Sequence, residues 1–237
     1  MDSTIETTPA VSPAISVAPP SPPSDDERPV ILHGVSWATY ESLLADFAER
    51  SAPHFAYDQG VLEIMPLSFP HESLNRLLDD LFCTVAEERE IDFVNAGSTT
   101  LKRADLAKGL EPDTSFYITN AERMRSKPDL DLMVDPPPDL VIEVDITSPS
   151  LNKFPIYAHL GVSEVWRYDG HQVSIFKLAN GEYLRQEESP ALPGLRSEDL
   201  SRFLEERRTM THSTWRRRVR EWARQQQSQH TPSKEGD

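Results

Sequence analysis

The chain has 237 residues and a formal net charge of −15, from 39 acidic and 24 basic side chains. A field this negative repels phosphate wherever it is not locally reversed, so a basic nucleic-acid coat protein is excluded. The single cysteine, Cys83, excludes an internal disulfide and a thiolate metal cluster. No stretch approaches the ~20 apolar residues of a membrane-spanning helix, and no basic and then apolar leader pattern is present, so we expect a cytoplasmic protein without a membrane partner.

Composition divides the chain into four parts. Residues 1–29 contain seven prolines among small and acidic residues, which predicts a disordered leader. Residues 225–237 are polar and unpatterned, which predicts a disordered tail. Between them we expect one domain over 30–206, large enough to bury a core, and a basic C-terminal helix over 207–224.

The first elements are a helix, a hairpin and a long helix. Ser36 precedes apolar residues at helical spacing, as an N-cap does. Two short apolar runs flank Asp58-Gln59-Gly60, which predicts a β-hairpin. A second helix is expected over 70–89, where leucines recur on one face.

Strand patterns dominate the middle of the chain. Short strands are predicted over 93–96 and 99–102 and in "EPDTSFYI". The nearly continuous apolar run "PPDLVIEVDI" is typical of a strand covered on both faces. A helix is then expected to start after Ser148-Pro149-Ser150 and to end at Gly161.

The remaining elements complete the fold prediction. Three strands are expected with turns at Asp169-Gly170 and Asn180-Gly181, followed by helices over 197–208 and 211–224. The sequence therefore predicts an α/β (α+β) fold with a central mixed β-sheet flanked by helices.

The central strand carries the candidate chemistry. Glu143 and Asp145 are two residues apart, so their carboxylates leave the strand on one face. Asp113 is a third acid if its strand is a neighbour, and Glu111 could reach the same edge. Lys153 follows on the next helix, from which it could reach back over the strand end. Hard carboxylate ligands favour Mg²⁺ or Mn²⁺, but spacing alone favours a buried Glu–Lys ion pair with surface acids at the strand ends.

A family resemblance follows from these motifs in order. The segments "YDQGVLEIMPLSFPHESLNRLL", "GLEPDTSFYI" and "PPDLVIEVDITSPSLNKFPIYAHLGVSEVWRYDG" resemble the Uma-two restriction-endonuclease family of the PD-(D/E)XK nuclease superfamily, over about residues 33–205. The resemblance implies a restriction-endonuclease-like core and Mg²⁺-dependent phosphodiester cleavage. It gives Asp113 and Glu143 as metal ligands and catalytic residues.

One position departs from the superfamily pattern. The lysine expected two residues after the glutamate is replaced by Asp145, and Lys153 in "KFPIY" is similar to the migrated lysine of this family. The resemblance also places a histidine or acid, here His71 and Glu72, near the active site, although solvated first-turn residues explain them equally well. Tyr157 is interpreted as a packing residue.

Basic charge is concentrated at the C-terminal end of the domain. Seven arginines and one glutamate lie between residues 207 and 224, around a helical stripe of Trp215, Val219 and Trp222. These arginines could contact phosphate, or the helix could dock onto the acidic body.

Two functions from different classes therefore stay open. The first is a Mg²⁺-dependent endonuclease with nucleic acid, DNA in particular, as its partner, Asp145 and His71 as further catalytic candidates, and a homodimer as one possible assembly. The second is a catalytically degenerate module of the same fold that binds DNA or another protein.

Overall fold

The structure is a computed structural model that describes residues 28–146 and 151–230. The expected leader lies almost entirely outside the described residues, and Ser148-Pro149-Ser150 also lies outside them. The strands β1 to β11 are, in chain order, Val30–His33, His54–Asp58, Val61–Met65, Val94–Asn95, Leu101–Arg103, Lys108–Leu110, Thr114–Tyr117, Leu140–Val144, Glu164–Tyr168, Val173–Ala179 and Glu182–Gln186. The helices α1 to α6 are Trp37–Phe47, Phe69–Glu88, Ala121–Met124, Phe154–Leu160, Ser197–Arg207 and His212–His230.

Six strands form the large sheet, in the order β11-β10-β9-β8-β7-β4. β8 and β9 run parallel, while the other neighbouring pairs are antiparallel. A parallel pair needs a crossover, and α4 supplies it between these two strands. The predicted α/β fold with a central mixed sheet flanked by helices is therefore confirmed.

The two faces of β8 are covered by different parts of the chain. Leu140, Ile142 and Val144 point into a cluster with side chains of α2, α5 and α6. Val141 points the other way, into a cluster with α4 and the small sheet described next. Full cover on both faces explains why this strand is an apolar run rather than an alternating one.

Five strands form the small sheet, in the order β1-β3-β2-β6-β5. The predicted hairpin is confirmed as β2 and β3, with Gln59 and Gly60 at positive φ in its turn. α1 covers this sheet through stacked Tyr40 and Tyr57 rings, whose centroids lie 5.0 Å apart. β1 and β6 have four and three residues, too few to show the alternation by which a strand is predicted.

The helix starts follow the sequence signals. The Ser36 side chain accepts a hydrogen bond from the Thr39 backbone N–H, and Ser68 does the same for His71. Gly161 ends α4 with φ +84°, a conformation that favours glycine. The four-residue helix α3 is not predicted, because one turn is too short to show helical periodicity.

The C-terminal helix α6 docks onto the body of the domain. Trp215, Val219 and Ala223 are fully buried in the cluster that α2 and α5 also line. Its arginines form ion pairs with acids of α2 and α5: Arg216 with Asp80, Arg218 with Glu206, and Arg220 and Arg224 with Glu88. These contacts support the docking interpretation of the basic helix.

The α6 helix also corrects one boundary. It runs to His230, so residues 225–230 of the predicted tail are helical, since arginine and glutamine are good helix formers that extend a docked helix. The other domain boundaries stay predictions. None of the helices in the described part of the chain is long and apolar enough to cross a membrane.

Candidate active site

Two buried carboxylates meet where β7 and β8 pair. The antiparallel register places Thr114 opposite Ile142, so Asp113 lies just before one strand while Glu143 lies in the other. Asp113 Oδ2 accepts a hydrogen bond from the Val144 backbone N–H at 2.7 Å. This bond joins Asp113 to the residue that follows Glu143. The strand of Asp113 is therefore the neighbour of the central strand, which is the arrangement that makes Asp113 the third acid.

Two histidines face the Asp113 carboxylate. His71 Nε2, in the first turn of α2, lies 3.1 Å from Asp113 Oδ2, and His54 Nδ1 lies 3.6 Å from Oδ1. Burial alone would raise the pKa of Asp113, but the two imidazoles outweigh it and hold that pKa below its ordinary range. Burial alone would lower the pKa of His71, but Asp113 outweighs it and raises that pKa. Asp113 is therefore ionised beside a histidine that favours its protonated form.

Glu143 is held by two side chains of the α4 segment. Lys153 Nζ donates to Glu143 Oε2 at 2.6 Å, and the Tyr157 hydroxyl donates to Oε1. Burial raises the pKa of Glu143 to about 7, with Lys153 opposing the shift and Asp113 adding to it. Tyr157, predicted as a packing residue, is fully buried but also positions this carboxylate.

The start of α4 determines where the lysine lies. Lys153 is the N-cap residue of α4, with Pro155 in the first turn, where a missing backbone N–H costs no hydrogen bond. Burial works against the charge of Lys153, but Glu143 and Asp113 raise its pKa above the ordinary value. The sequence prediction that this lysine reaches back over the strand end is consistent with its contact to Glu143.

Asp145 has a different partner. It follows β8, and its Oδ2 accepts a hydrogen bond from Arg167 Nε at 2.6 Å. Asp145 and Arg167 line a cleft of about 340 Å³ together with Glu143, Lys153 and Tyr157. This common cleft is consistent with the expectation that the carboxylates of Glu143 and Asp145 leave the chain on one face.

Glu63 on β3 is a buried acid that the sequence analysis does not select. Its Oε2 accepts from the Leu151 backbone N–H at 3.1 Å, and its Oε1 is buried without a hydrogen-bond partner among the described residues. Burial raises the pKa of Glu63, against the opposing charge of Lys153. A lone acid in the apolar strand "VLEIM" is the same signal that singled out Glu143.

Glu111, which the sequence placed near the same edge, has another partner. Its Oε2 accepts a hydrogen bond from the Phe55 backbone N–H at 2.8 Å.

The donor set fits a hard divalent cation. Within residues 28–146 and 151–230, no group of three or more His, Cys, Asp or Glu side chains is arranged to hold a metal ion. Mg²⁺ keeps several water ligands and binds proteins through one or two carboxylates. The carboxylates of Asp113 and Glu143 are therefore ligands of the right type and number for Mg²⁺. The Glu63 oxygen that has no hydrogen-bond partner among the described residues also suits a cation.

Comparison with known proteins gives the family. No curated protein matches the chain. A solved structure, titled as a putative nuclease belonging to DUF820 from Anabaena variabilis ATCC 29413, has 17% sequence identity and a TM-score of 0.45. That match covers 67% of this chain and 97% of the other. The sequence model of the family described as "Uma2: Putative restriction endonuclease" matches residues 37–211, well over half of the chain. The chain therefore belongs to the Uma2 restriction-endonuclease family.

Proposed function

We propose that this protein is an endonuclease that hydrolyses phosphodiester bonds of DNA with Mg²⁺ or Mn²⁺. The observation that carries the proposal is the pairing of two buried carboxylates, Asp113 and Glu143, with the Lys153 ammonium 2.6 Å from the second carboxylate. Burying charged groups is costly, and a fold tolerates such a cluster where it does chemistry. Membership of a restriction-endonuclease family supports the same reaction class.

Asp113 and Glu143 are the residues that would hold the metal ion. When bound there, Mg²⁺ would polarise a phosphoryl oxygen and make a water molecule a stronger nucleophile. The side chains around the two acids then act as supports, since His71 fixes Asp113 and Tyr157 fixes Glu143 through direct contacts. Such supports keep each carboxylate oxygen in one orientation.

Lys153 contributes in three ways. Its ammonium holds the Glu143 carboxylate, and it offers positive charge where the attacked phosphate becomes more negative. It is also the group best placed to orient a water nucleophile. The Oδ2 atom of Asp145 accepts a hydrogen bond from Arg167 Nε. We therefore assign Asp145 as a residue that positions this arginine.

Cleavage assays with purified full-length protein test the proposal. Supercoiled plasmid, single-stranded DNA and RNA are incubated with Mg²⁺, with Mn²⁺ or with a chelator. We expect metal-dependent DNA cleavage that Asp113→Asn and Glu143→Gln abolish. The matched control is Glu122→Gln, which removes a charge from an exposed acid on α3 and leaves cleavage unchanged.

Metal binding is measured in the same variants by calorimetry and by the melting temperature in Mg²⁺. Cleavage of RNA alone would correct the substrate class. Absence of both cleavage and metal binding in the wild type would overturn the proposal in favour of a degenerate binding module. Light scattering on the same samples tests whether the protein is a homodimer.

A further inference from the structure

Arg167 lies on the wall of the cleft without a role in the hydrolysis proposed above. In the parallel register of β8 and β9 it is the partner of Glu143. Partners in register project to the same side of a sheet, so the arginine and the glutamate leave the sheet on one face. Both side chains line the cleft of about 340 Å³.

The Arg167 guanidinium is held in a fixed orientation. Asp145 Oδ2 accepts from its Nε at 2.6 Å, and the Phe154 ring centroid lies 5.8 Å from its central carbon. The two terminal nitrogens, with four N–H donors, make no hydrogen bond to any residue of the described part of the chain. The side chain is 37% exposed, so these donors are open to a ligand.

The ion pair with Asp145 uses one guanidinium nitrogen. Asp145 accepts a single hydrogen bond from Nε, whereas arginine and carboxylate often pair through two parallel hydrogen bonds. The pair of terminal nitrogens is then left as a planar fork. Two phosphate oxygens match that fork, which is why arginine is favoured where phosphate is bound.

The acidic residues that line the cleft also favour a cation as the group that binds phosphate there. Lys153 and Arg167 are the two cations among the lining residues, and the Lys153 ammonium is engaged by Glu143. Nucleic acid brings one negative charge with each nucleotide into a cleft that already contains Glu143 and Asp145. Lys153 is already assigned to Glu143 and to the cleaved phosphate, so Arg167 is the lining cation left for a neighbouring phosphate.

We propose that Arg167 binds a phosphate of the substrate chain next to the one that is cleaved, with Asp145 and Phe154 fixing the plane of its guanidinium. The identity of the ligand as nucleic acid rests on the proposed function. The phosphate chemistry itself rests on the fork, its open donors and its place beside Glu143.

Thymidine 3′,5′-bisphosphate is a suitable probe, because it carries two phosphates in a nucleotide and contains no bond between nucleotides. Its binding to full-length protein is measured by calorimetry and by the shift in melting temperature. We expect Arg167→Gln to weaken binding by roughly ten- to a hundredfold, the effect of losing charge-assisted hydrogen bonds. Arg167→Lys keeps the charge but loses the fork, so it is expected to fall between Arg167→Gln and the wild type.

Arg217→Gln is the matched control. Arg217 is exposed on α6, across the large sheet from the cleft, so its loss should leave probe affinity unchanged. The melting temperature of each variant without probe shows whether the variant is folded. If Arg167→Gln does not fold, the affinity of Arg167→Lys provides the test. A wild type that fails to bind the probe at millimolar concentration, or a folded Arg167 variant that binds it as tightly as the wild type, overturns the inference.

The outcome is separable from that of the proposed function. Probe binding that depends on Arg167 in a protein without cleavage activity would overturn hydrolysis and support the phosphate site. Metal-dependent cleavage with an unchanged KM and salt dependence in Arg167→Gln would support hydrolysis and overturn the phosphate site. A genuine phosphate contact should reduce the slope of log affinity for DNA against log salt by about one.

Discussion

The two faces of β8 differ in what they bury. On one face Leu140, Ile142 and Val144 meet α2, α5 and α6 in an apolar cluster. On the other face Val141 is followed by Glu143, whose oxygens are engaged by Lys153 and Tyr157. Apolar burial stabilises a fold, whereas buried charge costs free energy unless it is paired. One strand thus separates apolar side chains that stabilise the domain from charged side chains whose burial costs free energy. That cost is the reason to assign the charged side chains a function.

A carboxylate on the apolar face sharpens this contrast. Glu164 on β9 is the register partner of Leu140, and three donors satisfy its carboxylate: Trp166 Nε1, the Ser189 hydroxyl and the Ala191 backbone N–H. No lysine or arginine forms an ion pair with it among the described residues. Glu164 therefore behaves as a structural acceptor that fixes the loop after β11, and buried acids as such do not mark the site.

Neighbouring substitutions on β8 give the largest expected effect. Glu143→Gln should reduce the cleavage rate by roughly a thousandfold or more, because it removes a charge that a hard cation needs, while the domain stays folded. Ile142→Ala should instead cost about 2–4 kcal/mol of unfolding free energy, because it leaves a cavity in the core. Kinetics and urea unfolding of both variants provide the check. A comparable loss of cleavage in a folded Ile142→Ala variant would break the comparison between the faces.

Lys153→Ala should have the second-largest effect on the cleavage rate. The ammonium repels a metal ion but helps as charge builds on the phosphate, so turnover should fall by roughly a hundredfold while metal affinity is kept or increased. Single-turnover rates and calorimetric titration with Mg²⁺ distinguish the two effects. A rate near that of the wild type would show that the lysine is only a counter-ion of Glu143, and would return attention to Asp145 and His71.

Glu164→Gln should change stability rather than activity. The amide turns one acceptor into a donor that faces the Ala191 N–H, so we expect a loss of about 1–3 kcal/mol in unfolding free energy. Burial raises the pKa of Glu164 above 4.5, so the unfolded chain releases this proton first. The wild-type stability should therefore fall relative to the variant as pH rises from about 4.5 through the raised pKa. Unfolding curves measured in urea across this pH range give the difference, and a parallel pH dependence in the two proteins would contradict it.

The arginines of α6 should give the smallest effects. Arg220 pairs with Glu88 at the surface, so Arg220→Gln should cost at most about 1 kcal/mol, which chemical unfolding measures. Arg217→Gln should change neither stability nor the salt dependence of DNA binding. A reduced salt slope in Arg217→Gln would return α6 to the role of a phosphate contact.

Local signals account for the elements that the sequence predicts correctly. The Ser36 cap, the Gln59-Gly60 turn and the Gly161 helix end each depend on residues adjacent in the chain. The small sheet could not be predicted as a unit, because its strands β5 and β6 have three residues each and gain their stability from pairing.

The site divides in the same way. Glu143, Asp145 and Lys153 lie within one short stretch, and strand alternation already relates the two acids. The roles of Glu63 and His54 depend on how the small sheet packs beside α4, and no spacing in the sequence encodes that packing. The strand that contains Arg167 is predicted from its apolar residues alone, so the sequence gives no reason to select this arginine. Its register with Glu143 is what places it beside the site.

The docking of α6 on α2 has a consequence for synthesis. The Arg216 side chain bonds to Thr84, a residue 132 positions earlier in the chain. As the polypeptide leaves the ribosome, α2 is complete long before the helix that covers it has been made. Until Trp215 and Val219 arrive, the apolar side chains beneath them have no native cover, so this cluster closes only after α6 has been translated.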